Sequence, residues 1–300
     1  MVAEVLAALK VKPGGKYADG TLGGGGHAAA ILAATSPDGW VFGCDRDGDA
    51  VEAARERLAE FAGRCEIRQA DYADLAEMLP PGSCDGIVLD LGTSSYQLDT
   101  AERGFSVIRD GPLDMRFNAR QGMTAADLVN SAGADELAKI FWEYGDEPDS
   151  RRIARAIVMD RKQRPFTTTG QLAGLIERLM PRRGKKTHPA TQVFQALRLA
   201  VNDELSSLKR GLEGALKVLK PDGRLAVITF HSLEDRVTKS FAREKSRDYA
   251  VEGPVDVPEL RRAKTPELRW VRRKAVKPGA AEEAENPRSR SAQLRIFEKI

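Results

Sequence analysis

The stretch Asp19-Gly-Thr-Leu-Gly-Gly-Gly-Gly-His27 holds five glycines and two ionisable residues in nine positions. Residues 15–18 before it are predicted to form a strand, and Ala28–Thr35 after it a helix. Glycine lets backbone approach a ligand closely, because no side chain stands in the way. The sequence therefore predicts a ligand-binding turn between a strand and a helix.

The residues around this turn alternate between strand and helix patterns. Apolar runs at Trp40–Cys44 and Gly86–Asp90 indicate strands, as does Cys65–Gln69, and Ala50–Ala62 has helical spacing. Strands that alternate with helices are typical of a parallel sheet with right-handed crossovers. The predicted fold class is α/β.

The pattern changes after Gly104. Helical periods fill the chain up to Asn202, and we predict an inserted all-helical domain over 105–202 within an α/β domain formed by 1–104 and 203–300. In the second segment of the α/β domain, 203–300, Arg224–Phe230 is a predicted strand. Two terminal strands are predicted at Trp270–Val276 and Ala292–Glu298, and we expect them to pair antiparallel. Between them, Lys277–Arg288 is rich in Pro, Ala and Glu and is predicted to be a loop.

Acidic residues end three successive predicted strands. Asp19 opens the turn, Asp45 follows the second strand, and Asp71 with Tyr72 follows the third. Open α/β sheets bind ligands at this edge, where a carboxylate can accept ribose hydroxyls and an aromatic ring can cover a base. Any one of these acids could instead cap a helix; together they favour an adenosyl ligand.

The charge of Asp19 distinguishes two such ligands. A dinucleotide site normally has the pattern G-x-G-x-x-G and holds a pyrophosphate at the helix N-terminus. A carboxylate repels a pyrophosphate but attracts the sulfonium or α-ammonium of S-adenosylmethionine. The sequence favours S-adenosylmethionine, with a nicotinamide-dependent oxidoreductase as the alternative.

The cysteines and Asp90 indicate which kind of methyl transfer the chain could catalyse. Cys44, Cys65 and Cys84 are odd in number and without metal-ligand spacing, so we expect no metal site and a reduced, cytoplasmic compartment. Each is expected to be a small core residue, which disfavours the thiolate addition that methylation of cytosine C5 requires. Asp90 follows the fourth strand, where an acceptor can free the lone pair of an exocyclic amine.

Eight motifs together resemble the bacterial MraW/RsmH family, and the resemblance covers nearly the whole chain. They are Asp19–His27, Asp90-Leu-Gly-Thr-Ser-Ser, Gln97-Leu-Asp-Thr-Ala-Glu-Arg-Gly-Phe-Ser106, Arg109-Asp-Gly-Pro-Leu-Asp-Met-Arg116, His188-Pro-Ala-Thr-Gln-Val-Phe-Gln-Ala-Leu-Arg198, Asn202-Asp-Glu-Leu205, Phe230-His-Ser-Leu-Glu-Asp235 and Asn286-Pro-Arg-Ser-Arg-Ser291.

The resemblance implies a class I S-adenosylmethionine-dependent methyltransferase fold (Rossmann-like) with an inserted helical domain. It implies methyl transfer to the N4 amine of a cytidine in the decoding region of 16S ribosomal RNA, with the small ribosomal subunit as partner. The cofactor residues that it implies are Gly25, Gly26, His27, Asp45, Tyr72, Asp90 and Gln97. The family usually has Phe where this chain has Tyr72.

The remaining candidates concern catalysis and RNA. Asp90 and His231 are the candidate catalytic residues, although a helix-capping cluster is the alternative for His231. His188 is equally compatible with helix capping and with RNA contact. The other candidate RNA contacts are Arg109, Arg116, Arg182, Arg183, Lys185, Lys186 and Arg198.

Charge is unevenly distributed along the chain. The net charge is only +3, yet residues 1–150 carry 13 basic and 26 acidic groups, and residues 151–210 carry 14 basic and 4 acidic groups. A concentrated basic stretch indicates a polyanionic partner, although a solvated helix face is the plain alternative. The sequence has no run of about 18 apolar residues, so no membrane span is predicted.

A second functional alternative is a non-catalytic RNA-binding factor in ribosome assembly.

Replacing Arg182, Arg183, Lys185 and Lys186 with glutamine tests the basic run. If these side chains contact phosphates, the affinity for ribosomal RNA should fall and its dependence on salt should flatten, because fewer counterions are released on binding. Filter binding over a range of salt concentrations measures both effects. An unchanged salt slope would assign the four charges to a solvated surface.

Overall fold

The computed structural model describes residues 1–181 and 187–300. The predicted phosphate contacts Arg182, Arg183, Lys185 and Lys186 lie outside the described residues. Among the residues that are described, no helix combines the length and the apolar character needed to cross a membrane.

Nine strands are present in the described chain. In order they are β1 Lys16–Asp19, β2 Trp40–Asp45, β3 Cys65–Gln69, β4 Cys84–Asp90, β5 Leu219–Thr229, β6 Tyr249–Val251, β7 Arg261–Ala263, β8 Leu268–Val276 and β9 Gln293–Lys299.

Thirteen α-helices accompany these strands in the same described ranges. They are α1 Val2–Leu9, α2 Gly26–Ala34, α3 Gly48–Arg57, α4 Leu75–Met78, α5 Ser95–Asp99, α6 Ala125–Ser131, α7 Ala134–Gly145, α8 Ser150–Asp160, α9 Thr169–Leu179, α10 Thr191–Val201, α11 Glu204–Val218, α12 Ser232–Lys245 and α13 Ala280–Glu285.

Seven of the strands form one sheet in the order β3-β2-β1-β4-β5-β9-β8. The first five are parallel, and β9 runs antiparallel to both of its neighbours. The predicted α/β class and the terminal antiparallel pair are therefore confirmed. Ile87, Val88 and Leu89 in β4 are all buried, as expected for a central parallel strand covered on both faces.

The chain order reverses on either side of β1, which pairs with β2 on one side and with β4 on the other. Such a switch point opens a crevice at the carboxyl ends of the strands, where open α/β sheets bind ligands. Asp19, Asp45 and Asp90 are the last residues of these three strands. The topology therefore brings three acidic residues to one edge of the sheet.

The structure corrects some of the predicted elements. The stretch Lys277–Arg288 was predicted as a loop but contains α13 and the start of a 3-10 helix, Pro287–Ser291. The hairpin of β6 and β7 was not predicted, because three-residue strands are too short to show a period. Helix α3 begins two residues before the predicted Ala50, since the Asp47 carboxylate accepts a hydrogen bond from the Asp49 N–H.

The chain divides into two compact units. One is formed by Met1–Gly92 with Leu205–Ile300, and the other is Thr93–Glu204. The second unit packs helices α6 to α10 around its own apolar core, which includes Leu137, Phe141, Ile153 and Leu197. The insertion predicted over 105–202 lies inside this unit.

The uneven charge follows the order of the chain rather than the two units. Met1–Gly92 with Leu205–Ile300 carries 30 basic and 29 acidic groups, and Thr93–Glu204 carries 17 and 15. The acidic half of the sequence is thus distributed over both units. Neither unit is strongly charged as a whole, so local arrangement must decide which polyanion contacts are available.

A buried ion pair fixes α12 against β9. Arg295 Nε lies 2.8 Å and Nη2 3.2 Å from the two carboxylate oxygens of Asp235, and Lys239 Nζ lies 2.8 Å from Oδ2. Burial alone would raise the pKa of Asp235, but the hydrogen bonds from Arg295 and Lys239 outweigh it and lower that pKa. The carboxylate therefore depends on Arg295 to remain charged at this depth.

We expect Arg295→Met to lower the free energy of unfolding by about 3 kcal/mol, because it leaves a buried carboxylate short of its main partner. Urea unfolding at neutral pH measures the change. Lys239→Met is the matched control, expected to cost less than about 1 kcal/mol because Lys239 is partly exposed. Equal losses from the two variants would contradict the assignment.

Candidate active site

The glycine turn lies between β1 and α2, as predicted. Gly23 and Gly25 adopt positive φ angles of 50° and 77°, a conformation that other residues rarely adopt. A Cβ on Gly25 would also meet Ala54 and Leu58 at 3.4 Å, whereas the space around Gly24 is open to 4 Å. Glycine at the N-cap, Gly25, has no side chain that could cap α2, which leaves the backbone N–H groups of the first turn without a side-chain acceptor from the cap residue.

Asp19 ends β1 beneath this turn and is fully buried. Its Oδ1 accepts a hydrogen bond from the Thr21 N–H at 3.2 Å, but its Oδ2 has no partner among the described residues. Burial raises the pKa of Asp19 from 3.8 to about 6, against the charge of His27 and the Thr21 N–H. A buried carboxylate with an unsatisfied oxygen is an acceptor for a cation or a donor group.

His27 connects the turn to the end of β4. Its Nε2 lies 3.3 Å from Asp90 Oδ2, while its Nδ1 and Asp90 Oδ1 are buried without a hydrogen-bond partner in the described chain. Burial lowers the pKa of His27, but the hydrogen bond and the charge of Asp90, together with Asp19, outweigh it and raise that pKa. The structure therefore brings Asp19, His27 and Asp90 together around unsatisfied polar atoms.

Thr21 also contributes to this cluster, although its role was not predicted. Its Oγ1 accepts a hydrogen bond from the Asp90 N–H at 2.6 Å, which ties the turn to the end of β4. A threonine in a glycine-rich turn has many possible roles, so the sequence carried no signal for this contact.

Asp45 ends β2 and holds the turn from the other side. Its Oδ2 accepts a hydrogen bond from the Gly23 N–H at 2.8 Å, and its Oδ1 accepts one from the Asp47 N–H at 2.9 Å. Burial raises the pKa of Asp45, and these N–H groups oppose the rise. Each carboxylate oxygen has a second lone pair, so Asp45 retains the capacity to accept ribose hydroxyls.

Asp71 and Tyr72 have different roles after β3. The Asp71 carboxylate accepts hydrogen bonds from the Ala73 N–H and the Ser207 hydroxyl, each at 2.9 Å, which is the helix-capping alternative. Tyr72 is half-buried, and a Cβ on Gly211 would lie 2.3 Å from its ring. Gly211 thus leaves room for the ring, and Gly20 in the glycine turn leaves room on the other part of the residue, because a Cβ on Gly20 would lie 2.9 Å from the Tyr72 Cβ.

His231 lies after β5, at the N-terminus of α12. Its Nε2 is 3.1 Å from Glu234 Oε1, an ion-pair distance if the imidazole is protonated. Glu234 Oε2 accepts hydrogen bonds from the N–H groups of Phe230 and His231, so this glutamate caps the helix. The capping cluster is present, and a catalytic role for His231 stays a prediction.

The other predicted residues belong to the unit Thr93–Glu204. Gln97 is buried and caps its own helix, because its Oε1 accepts a hydrogen bond from the Ser94 N–H. His188 Nδ1 accepts a hydrogen bond from the Ala190 N–H at 3.1 Å, which is the capping alternative. Exposed Arg109 lies against Asp99, with Nη2 3.2 Å from its carboxylate.

Arg116 and Arg198 were predicted to contact RNA, and the structure pairs both with acids. Arg116 donates Nε–H and Nη2–H to Asp114 at 2.8 and 2.7 Å, and Arg198 donates the same groups to Glu204 at 2.7 and 3.0 Å. A guanidinium group that already binds a carboxylate through two donors has fewer left for phosphate. These pairs order the unit around them.

The cysteines lie apart from reaction chemistry. Cys44 and Cys84 are buried and Cys65 is half-buried, all as free thiols. Burial raises the pKa of each thiol, so each stays protonated and weakly nucleophilic near neutral pH. The site therefore offers carboxylates and an imidazole rather than a nucleophilic sulfur.

Comparison with known proteins agrees with this chemistry. The family model described as the MraW methylase family matches residues 1–300. The chain is similar to proteins named "Ribosomal RNA small subunit methyltransferase H" from three bacteria. They come from Symbiobacterium thermophilum (49% identity, 100% of this chain and 95% of the relative), Citrifermentans bemidjiense (50%, 99% and 96%) and Geobacter sulfurreducens (50%, 100% and 97%).

Asp19→Asn should change how the ligand-free protein responds to pH. Burial raises the pKa of Asp19 in the folded protein to about 6, so the folded state binds this proton more tightly than the unfolded state does. The protonated carboxyl therefore contributes fully to the free energy of unfolding below pH 3.8, and this contribution is lost as the pH rises from 3.8 through 6. That loss amounts to about 3 kcal/mol, and the asparagine variant avoids it. Urea unfolding from pH 4 to 8 should show the variant gaining stability over the wild type across this window. Parallel pH curves would contradict the raised pKa.

Proposed function

The chain belongs to the MraW methylase family, and from this premise we propose that it methylates the exocyclic N4 amine of a cytidine in the decoding region of 16S ribosomal RNA. The observation that carries the proposal is the cluster of Asp19, His27 and Asp90 beside the glycine turn. Its unsatisfied buried oxygens and its negative charge suit a cationic methyl donor.

The methyl donor is S-adenosylmethionine, which supplies an electrophilic methyl group on a sulfonium. The open N-terminal turn of α2 at Gly25, Gly26 and His27 would receive its polar end. Asp45 would accept hydrogen bonds from the ribose, and Tyr72 would cover the adenine. Asp90 and Gln97 remain the proposed partners of the methionine end.

Asp90 is the proposed acceptor for the target amine. Its Oδ2 faces His27 and its Oδ1 has no partner among residues 1–181 and 187–300, so one oxygen is held in place while the other could accept an N–H of the cytidine. A hydrogen bond to the amine draws its lone pair out of conjugation with the ring. Bound S-adenosylmethionine would supply the methyl group to this nitrogen with its sulfur as the leaving group, and the Asp90 carboxylate would accept the amine proton that the transfer releases.

The site disfavours the two alternatives. A pyrophosphate beside the buried Asp19 would meet a carboxylate, which argues against a nicotinamide dinucleotide. A non-catalytic assembly factor would have no use for a buried acid whose unsatisfied oxygen costs stability. The methyl-transfer reaction uses both features.

We propose the small ribosomal subunit as the partner, on the strength of the names of the relatives. A substrate of this kind implies that the enzyme works in the cytoplasm. Exposed Arg109, the run Arg182, Arg183, Lys185 and Lys186, and His188 are the proposed RNA contacts on the inserted unit, whereas Arg116 and Arg198 would act by ordering the chain. A cytidine must leave its helical stack before its amine can reach the donor.

The test combines a mapped product with an isosteric variant. Purified protein should transfer labelled methyl groups to one cytidine of 16S ribosomal RNA from a strain that lacks the enzyme, as mapped by mass spectrometry. Asp90→Asn should lower kcat by about 10²-fold or more, because it removes the acceptor charge but keeps the shape. Asp49→Asn, which neutralises an exposed acid outside the cluster, is the control and should leave kcat unchanged. Failure to label the RNA, or full activity of Asp90→Asn, would refute the proposal.

A further inference from the structure

Helices α7 and α8 enclose a surface cavity of about 660 Å³ within the unit Thr93–Glu204. The helices are consecutive and joined by a short connection, residues 146–149. Their buried faces, which include Leu137, Phe141, Ile153 and Ile157, belong to the apolar core of the unit. Cavities of this volume accommodate small ligands or a nucleotide.

One wall of the cavity is a face of α7. Asp135, Lys139 and Trp142 line it and follow one another at four- and three-residue steps, so they share one side of the helix. Trp142 is 60% exposed, although its neighbour Phe141 is fully buried. An indole ring in solvent at the wall of a cavity offers a flat surface on which another ring can stack.

The opposite wall is the first half of α8. Arg151, Arg152 and Arg155 line the cavity and are exposed. None of the three forms an ion pair within the chain as described, in contrast to the doubly bonded Arg116 and Arg198. Their donors are therefore available to an external anion.

Two acids also line the cavity. Asp135 and Asp149 partly offset the positive charge, leaving two positive charges in excess among the lining residues. A uniformly basic surface would suit any polyanion, but a cavity with arginines, an aromatic face and carboxylates suits a ligand with phosphates, a ring and amino groups. A nucleotide has all three kinds of group. Its phosphates can bind the arginines, its base can stack on the aromatic ring, and its base amines can donate hydrogen bonds to the carboxylates.

We infer that this cavity binds a nucleotide of single-stranded RNA, with its base stacked on Trp142 and its phosphates held by Arg151, Arg152 and Arg155. The inference rests on the proposed function, because that function supplies RNA as the substrate. An acidic peptide would satisfy the arginines but not the exposed indole. The base must be unpaired, since a base inside a duplex cannot reach a side-chain ring.

The experiment measures binding of a fluorescent oligocytidylate to the full chain. Trp142→Ala should weaken binding about tenfold or more, whereas Trp142→Phe should largely retain it, because stacking needs only an aromatic face. Replacing Arg152 and Arg155 with glutamine should weaken binding and reduce its salt slope. Arg178→Gln removes a positive charge from the same unit outside the cavity and should have little effect.

Linear polyphosphate, used as a second probe, separates stacking from charge. Trp142→Ala should leave polyphosphate binding unchanged, and the double arginine variant should weaken it. Equal binding of oligocytidylate to the wild type and Trp142→Ala would overturn the inference and leave an acidic protein as the occupant. Thermal unfolding checks that each variant is folded, and Trp142→Phe keeps the test valid if the alanine variant is not.

The test also separates this inference from the proposed function. On ribosomal RNA, Trp142→Ala should raise KM without lowering kcat, because the cavity has no part in the chemistry. If the wild type methylates RNA and Trp142→Ala has the same KM, the inference fails and the function stands. If no methylation occurs but oligocytidylate binding still depends on Trp142, the function fails and the nucleotide site stands.

Discussion

Three carboxylates lie at one edge of the sheet because β1, β2 and β4 are neighbours and each ends in aspartate. Burying like charges together costs free energy, and the chain offsets only part of that cost. The N–H groups of Thr21 and Gly23 and the imidazole of His27 supply the compensation, yet one oxygen on Asp19 and one on Asp90 have no hydrogen-bond partner in the described part of the chain. The glycine turn is held by this arrangement through the bonds of Asp45 to the Gly23 N–H and of the Asp90 N–H to Thr21, and the proposed binding of a cationic ligand rests on it.

The fold around this edge could be predicted from the sequence because its signals are local. Apolar runs that end in aspartate revealed β2 and β4, and the glycine cluster marked the turn before α2. The partners within the site could not be predicted, since they join residues far apart in the chain. His27 and Asp90 are 63 positions apart, and Asp71 and Ser207 are 136 apart. Only the order of the strands brings such pairs together.

The candidate RNA contacts show the same limit of prediction from sequence. Arg116 and Arg198 stay predicted RNA contacts, but the structure shows that Arg116 pairs with Asp114 and Arg198 with Glu204, which the sequence did not reveal. Arg151, Arg152 and Arg155 belong to the basic stretch 151–210, but the sequence alone does not distinguish them from the charged face of a solvated helix. Trp142, which lines the same cavity, is an apolar residue that the structure leaves exposed on α7. Whether a cation is free or paired is therefore a property of the fold, and residue counts along the chain cannot give it.

The acidic edge also bears on the direction of methyl transfer, from the sulfonium donor to the amine. Methyl transfer converts a sulfonium into a neutral thioether, so the positive charge that the carboxylates attract disappears when the S–C bond breaks. The proposed proton acceptor, Asp90, lies beside His27, whose pKa is raised by Asp90 and Asp19, and burial raises the pKa of Asp19 itself to about 6. If these acids hold the donor as proposed, they would attract the product less strongly, because its sulfur no longer carries a positive charge, and Asp90 would accept the proton that the reaction liberates. A neutral or basic cluster at this edge would lack both effects, which is a physical reason for placing so costly a set of carboxylates at the end of the central strands.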